Sequence, residues 1–271
     1  MQRLTPFFRP TQRRLDRSRI QGLYQRLTEG NSNHEPAGSP RGGQFAKRPG
    51  GAPTPARSVA HAARLIAAGQ PVELRQTRQV STLLDKLGKM AMEAAAKGEK
   101  APNYDLCKVT VRGSNLFCAE NRGVPRVEMP QFKGMARPGS KADKLPKDKN
   151  GEVDAVEIFK RHLISLGHTV TPGTEKAEYL RASQTQLVGA KVAGMMNSKV
   201  YDPSKAPILV SEDNYVLDGH HNWAATVGRD ARDGVLGDLN MNTLRVNIHI
   251  DQLIRMSNDW MDDFGIMRKA G

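Results

Sequence analysis

Cysteines, aromatic residues and long apolar runs are scarce in this chain, and each scarcity removes a class of protein. Two cysteines in 271 residues, Cys107 and Cys118, cannot make a disulfide framework or a four-cysteine zinc site. The usual compartment rule reads them as reduced thiols of an intracellular protein. No stretch of 18 apolar residues occurs, so no membrane-spanning helix is expected. The first residues, Met-Gln-Arg-Leu-Thr-Pro, lack the apolar core and small-residue cleavage site of a secretory signal. The expectation is therefore an intracellular or virion-borne protein. Aromatics make up 5% and apolar residues 38% of the chain, while Gly and Pro reach 25 and 16, so much of the length is expected to be loop.

Charge is what the chain has in excess. The net charge is +13, and residues 1–70 hold 12 Lys/Arg against three Asp/Glu, a net of +9. The basic character belongs mainly to the N-terminal segment. It points to a polyanionic partner, nucleic acid first, with an acidic protein or a membrane surface behind. Residues 1–28 read as a basic amphipathic helix with Leu15, Ile20, Leu23, Tyr24 and Leu27 on one stripe, able equally to dock on the protein's own body. Residues 29–56 are rich in Gly, Pro, Ser and Asn and read as a flexible linker, so the basic tail is expected to be disordered.

Residues 57–152 are expected to form a helical and β-hairpin extension. Helices are predicted over Arg57 to Ala68 and over Ser81 to Ala96, the second with Ser81 as N-cap and a Leu/Met face for core packing. Lys108 to Val111 and Asn115 to Cys118 read as paired strands around Arg112-Gly113-Ser114, with the two cysteines at the outer ends. Gln131 to Asn150 reads as a long loop. In residues 153–271 a helix is predicted over Asp154 to Leu166, a short strand at His168 to Thr171, a helix over Leu187 to Met196, a strand at Thr243 to Ile248 and a last helix over Asp251 to Phe264. The fold class is α+β.

The chemistry concentrates in Pro207 to Val227. Ile208 to Val210 is a short apolar strand, Glu212-Asp213-Asn214 a turn, and Tyr215 to Leu217 a second strand. Asp218-Gly219 ends it, and a short Ala-rich helix from His221 to Val227 follows, closed by Gly228. An aspartate, a glycine and two histidines thus stand where a strand hands over to a helix N-terminus, whose free N–H groups and dipole suit a phosphate. Gly219 would allow close backbone approach. His220 and His221 would contact phosphate oxygens, and Asp218 would hold Mg²⁺ or orient an acceptor hydroxyl. The plain structural alternative has Asp218 capping the helix and one histidine packing on Trp223 or Tyr215.

This order resembles the ParB/sulfiredoxin superfamily: a helix with Lys191-Val192-Ala193-Gly194-Met195, the strand Pro207 to Val210, then Asn214 to His221 and Trp223-Ala224-Ala225. Asp218-Gly219-His220-His221-Asn222 looks closest to the Asp-Gly-His-x-Arg step of ParB-like free serine kinases. Residues from about Val80 to Phe264 also resemble ParB-like domains of tailed phages and prophages, and Asn33 to Arg48 resembles a segment beside phage head-morphogenesis domains. The resemblance implies a ParB/sulfiredoxin-like C-terminal domain over 153–271. It implies ATP or another nucleotide with Mg²⁺ as cofactor, and phosphoryl transfer, NTPase or nuclease chemistry with Asp218, His220 and His221 as catalytic residues. Gly219, Asn222, Lys191 and Gln184 would bind phosphate or nucleotide beside them, with Ser183 near the same cleft. Phage head proteins are implied partners, and the implied location is the bacterial host's cytoplasm or the virion. The other reading it allows is a non-catalytic head-associated or DNA-binding accessory protein. One position departs from the pattern: Asn222 stands where relatives carry arginine, giving a neutral amide in place of a bidentate cation. Arg229, Arg232 and Lys191 are the cations that could replace it.

Overall fold

Local pattern explains most of the elements, and the chain's computed structural model describes residues 54–99, 104–199, 201, 202, 205 and 207–268. The expected basic helix and nearly all of the expected linker lie outside the described residues. The very end of that linker is ordered: Thr54–Pro55 forms strand β1. Helix α1 follows at Val59–Ala67, where Ser58 Oγ accepts the His61 amide as N-cap, then strand β2 at Val72–Leu74 and helix α2 at Arg78–Ala96. Helix α2 starts three residues before the predicted cap. Ser81 lies inside it, buried, and its hydroxyl donates to the Gly228 carbonyl of a later helix. Its role is helix packing and not capping.

Strands β3 at Val109–Val111 and β4 at Ser114–Asn115 form a hairpin around Arg112 and Gly113, both at positive φ, but its return strand includes Ser114 and stops at Asn115 instead of running to Cys118. Beyond it the chain turns, because Asn115 Oδ1 accepts the Phe117 and Cys118 amides while its Nδ2 donates to Cys107 O. That turn brings Cys118 back to Cys107. The two are joined by a disulfide with Cα atoms 5.1 Å apart, which corrects the reading of two reduced thiols.

The segment expected as a long loop contains strand β5, Lys133–Met135, paired antiparallel with strand β6, Glu152–Asp154. Helix α3 runs over Val156–Ser165, strand β7 over Val170–Lys176, strand β8 over Arg181–Ala182 and helix α4 over Gly189–Asn197. Strand β9 (Ile208–Val210), strand β10 (Tyr215–Asp218) and helix α5 (His220–Asp230) follow as strand, turn, strand and helix. Strand β11 (Asn240–Val246) and helix α6 (Ile250–Phe264) complete the described chain. Gly228 does not close α5. It lies inside the helix, where a Cβ would meet Leu84 Cδ1 at 2.6 Å, so it permits the close crossing of α2.

The architecture is mixed α+β. A five-stranded sheet in the order β7-β11-β9-β10-β8 holds β9 at its centre, parallel to β11 and antiparallel to β10. A four-stranded sheet runs β1-β2-β3-β4. The large sheet separates two cores by simple strand alternation. Ile208, Val210, Val216 and Met241 face one core with α1, α2, α4 and α5, and Leu209, Leu217 and Val246 face the other with α3 and α6. Both cores draw residues from either side of position 152, and the described residues form one compact unit. The second core holds an aromatic stack, with Phe132, Phe159, Trp260 and Phe264 rings 4.6–5.2 Å apart in successive pairs. Among the described residues no helix is long and apolar enough to cross a membrane.

The disulfide closes a short loop, and loop-closure entropy sets its worth at about 3 kcal/mol. Urea unfolding with and without a dithiol reductant is predicted to differ by about that amount. Two thiols titrating in the untreated native protein would contradict the pairing.

Candidate functional site

The hand-over from β10 to α5 is built by two departures from regular geometry. Pairing between β10 and β9 shifts register at Leu217: Val216 faces Val210, but Asp218 faces Leu209. Such a bulge re-aims side chains, and the neighbours Leu217 and Asp218 both line one cleft. Gly219 then takes φ +95° as N-cap of α5, and a Cβ there would overlap the Ile208 side chain. Only glycine meets both conditions.

The cleft has a volume of about 380 Å³. Seven of the residues singled out from the sequence, Asp218, Gly219, His220, His221, Asn222, Lys191 and Gln184, line it, whereas Ser183 lies behind the lining. Arg126, Lys133 and Asp154 do as well, and sequence reasoning had not picked them. The first intrahelical bond of α5 runs from the Trp223 amide to Gly219 O at 2.9 Å. The amides of His220, His221 and Asn222 precede it and have no acceptor within the helix. They form the positive end of the helix dipole at the cleft floor.

His220 is buried, and its Nε2 accepts the Ser183 amide at 3.2 Å, with Ser183 Oγ at 3.0 Å. Ser183 Oγ itself donates to Val216 O at 2.7 Å. His221 Nε2 accepts the Val188 amide at 3.3 Å. An amide can only donate, so the His221 ring is neutral with its proton on Nδ1, and His220, whose Nε2 faces both the Ser183 amide and its hydroxyl, is neutral as well. Burial first, then the charge of Arg126, pushes His220 down to about 3. Burial, followed by Lys191, Arg126 and His220, puts His221 at about 3 as well. Neither ring is a cation near neutral pH.

Asp218 is reached by solvent at the cleft surface but has protein packed closely around it on the other sides. That burial holds its carboxyl above the usual range, with Asp154 adding to the effect and the Gly219 amide and Lys191 opposing it. Asp154 also accepts the Val156 amide at the start of α3, at 3.1 Å. Gln184 is buried, and its side-chain amide donates to Gln186 O. Asn222 is buried, with its Oδ1 and its backbone carbonyl both accepting from the Tyr201 hydroxyl.

Of the cations expected to replace an arginine at position 222, two lie elsewhere. Arg229 closes the C-terminus of α4, donating to Met196, Ser198 and Tyr201 carbonyls at 2.8–3.0 Å and stacking 4.7 Å over the Tyr201 ring. Arg232 donates to Asn197 Oδ1. Lys191 is at the cleft, exposed on the first turn of α4. Lys133 pairs with Asp148 at 2.8 Å. The remaining cation that lines the cleft is Arg126. No sequence signal marked it, because its place depends on a pairing distant in sequence: Val124 bridges Gln184, with its amide 3.1 Å from Ser183 O.

Compared with protein-family models, curated proteins and solved structures, the chain finds no match in any of the three.

The depressed histidines tie stability to pH. In the unfolded chain both take up protons below their ordinary value of about 6.5, while the folded rings refuse them until about 3. Their stabilising contribution is present above pH 6.5 and lost as pH falls towards 3; Asp218, with its raised carboxyl, runs the other way. Each ring is predicted to raise the unfolding equilibrium constant roughly tenfold per pH unit in that window. Denaturant midpoints between pH 7 and pH 4 check this. His220→Gln and His221→Gln each flatten the slope, and an unchanged slope in both would contradict the burial account.

Proposed function

We propose that the cleft binds the phosphate of a nucleotide or nucleic acid, as the likeness to the ParB/sulfiredoxin superfamily implies. The observation that carries this reading is the convergence of seven residues chosen from sequence on one cleft at the N-terminus of α5. The strand-turn-strand-helix order of β9, β10 and α5 is the element such a phosphate site requires. In this reading the amides of His220, His221 and Asn222 receive the phosphate oxygens. Lys191 supplies charge, and the two imidazoles contribute as neutral rings without positive charge.

Asp154 and Asp218 give the cleft two carboxylates, and among the described residues no group of three metal-binding side chains converges. Two carboxylates suit Mg²⁺, which takes few protein ligands and fills its octahedron with water and phosphate oxygens. When bound, Mg²⁺ would neutralise charge on the phosphoryl group. Asp218 is the group placed to accept a proton from an attacking hydroxyl or water, its raised carboxyl bringing its pKa closer to neutrality. The reaction class is phosphoryl transfer or phosphodiester hydrolysis.

One observation favours a second reading, a binding module without turnover. Both imidazoles are locked onto backbone amides, which removes them as proton shuttles and leaves Asp218 alone for acid–base work. The module would then serve a phage head or DNA-associated protein whose basic segment grips nucleic acid.

Calorimetry with ATP, CTP, GTP and UTP plus Mg²⁺, paired with a phosphate-release assay, separates the readings. Binding of at least one nucleotide with a dissociation constant of about 100 µM or tighter is expected. Asp218→Asn is predicted to abolish release while changing the affinity measured without Mg²⁺ less than about threefold. Binding without release in the wild type favours the module, and absence of binding to any nucleotide removes the phosphate reading altogether.

A further inference from the structure

We propose that Arg126 is the arginine of this phosphate site, gripping a phosphoryl group at the N-terminus of α5 in place of an arginine at position 222. The inference rests on the phosphate reading above and assigns its principal cation. The ligand it selects is a terminal phosphoryl group or pyrophosphate, which offers two oxygens to the planar guanidinium fork.

The case begins with what the other groups are doing. Asn222 is buried and held by Tyr201. Arg229 and Arg232 are bonded to the α4 terminus, and Lys133 is paired with Asp148. The histidines carry no charge at neutral pH. Arg126 differs from all of these. It lines the cleft, is half-buried, and among the described residues its guanidinium donates no hydrogen bond and joins no ion pair. A half-buried cation without a counter-charge is unfavourable, and an anionic ligand offsets that cost.

Its position is fixed from both sides. The Arg122 amide donates to Ala182 O at 3.3 Å, the Val124 amide to Ser183 O at 3.1 Å, and the Thr185 amide to Val124 O at 2.9 Å. These bonds zip residues 122–124 onto the chain leaving β8. Immediately after them Arg126 opens a short 3-10 turn, ended where the Met129 amide returns to Arg126 O at 3.2 Å. Ser183 sits in the middle of this zip and also anchors His220. The segment after β8 that holds the imidazole at the start of α5 thus also holds the backbone that leads into Arg126. Their proximity registers in the lowered basicity of both histidines, to which the Arg126 charge contributes.

The test compares wild type, Arg126→Ala and Arg126→Lys by calorimetry, with pyrophosphate, ATP and CTP as probes and Mg²⁺ throughout; adenosine and cytidine are the phosphate-free controls. Loss of a bidentate charged contact predicts a dissociation constant raised roughly 10- to 100-fold in Arg126→Ala. Arg126→Lys, which keeps charge but not the fork, falls between, and any nucleoside binding is unchanged in both. A purely structural role would weaken nucleoside and nucleotide alike. If the phosphorylated probes bind wild type and Arg126→Ala equally, the Arg126 inference fails while the phosphate site stands. If none of the three binds wild type, the site reading fails and the inference falls with it. Should Arg126→Ala not fold, Arg126→Lys decides: wild-type affinity for all three probes would refute the need for the fork.

Discussion

Everything at the cleft depends on the turn at Gly219. Its backbone sits at φ +95° against Ile208 of the central strand, in a space that no side chain can share. Because β9 is buried on both faces between two cores, the turn has no room to relax. The bulge at Leu217 and the glycine turn together convert an ordinary antiparallel pair into a helix start aimed into a cleft. Helix α5 then runs through the first core with nearly every residue buried, which accounts for its run of small side chains at Ala224 and Ala225. Asp230 at its far end accepts three amides, from Gly237, Asp238 and Leu239, and so pins the following loop.

The electrostatics of the cleft follow from burial more than from formal charge. Two histidines that look cationic on paper are neutral, each held by a backbone amide. Two carboxylates, Asp154 and Asp218, share the space, and burial makes one of them reluctant to ionise. Positive character is left to Arg126, Lys191 and the amides opening α5. Carboxylates and positive groups thus line one cavity side by side, with Asp218 next to the Gly219 turn and within reach of the Lys191 charge.

The residues of the cleft floor were legible in the sequence because they are contiguous. Asp218 to Asn222 carry their own turn chemistry, and the helices from α1 to α6 announce themselves by apolar spacing and terminal glycines. The terminal-glycine signal failed for α4, which ends at Asn197, and for α5, which runs through Gly228, and what else could not be read depends on partners far along the chain. Arg126 reaches the site through pairing of residues 122–124 with residues 182–185, a parallel contact without local pattern. Strands β2, β5 and β6 are three residues each, too short for alternation to register. Ser81 resembled a cap because serine favours caps, yet Gly228 offered its hydroxyl a buried acceptor on another helix. The two cysteines flank the hairpin without lying in its strands, and compartment statistics pointed to thiols where the Asn115 turn brings the sulfurs together.

A crystal structure with bound nucleotide and Mg²⁺ tests the central claim most directly. The account predicts phosphate oxygens within about 3 Å of the amides of His220, His221 and Asn222, with the Arg126 guanidinium on the same phosphoryl group. A nucleotide bound outside this cleft, or bound in it with its phosphates directed away from the start of α5, would contradict it.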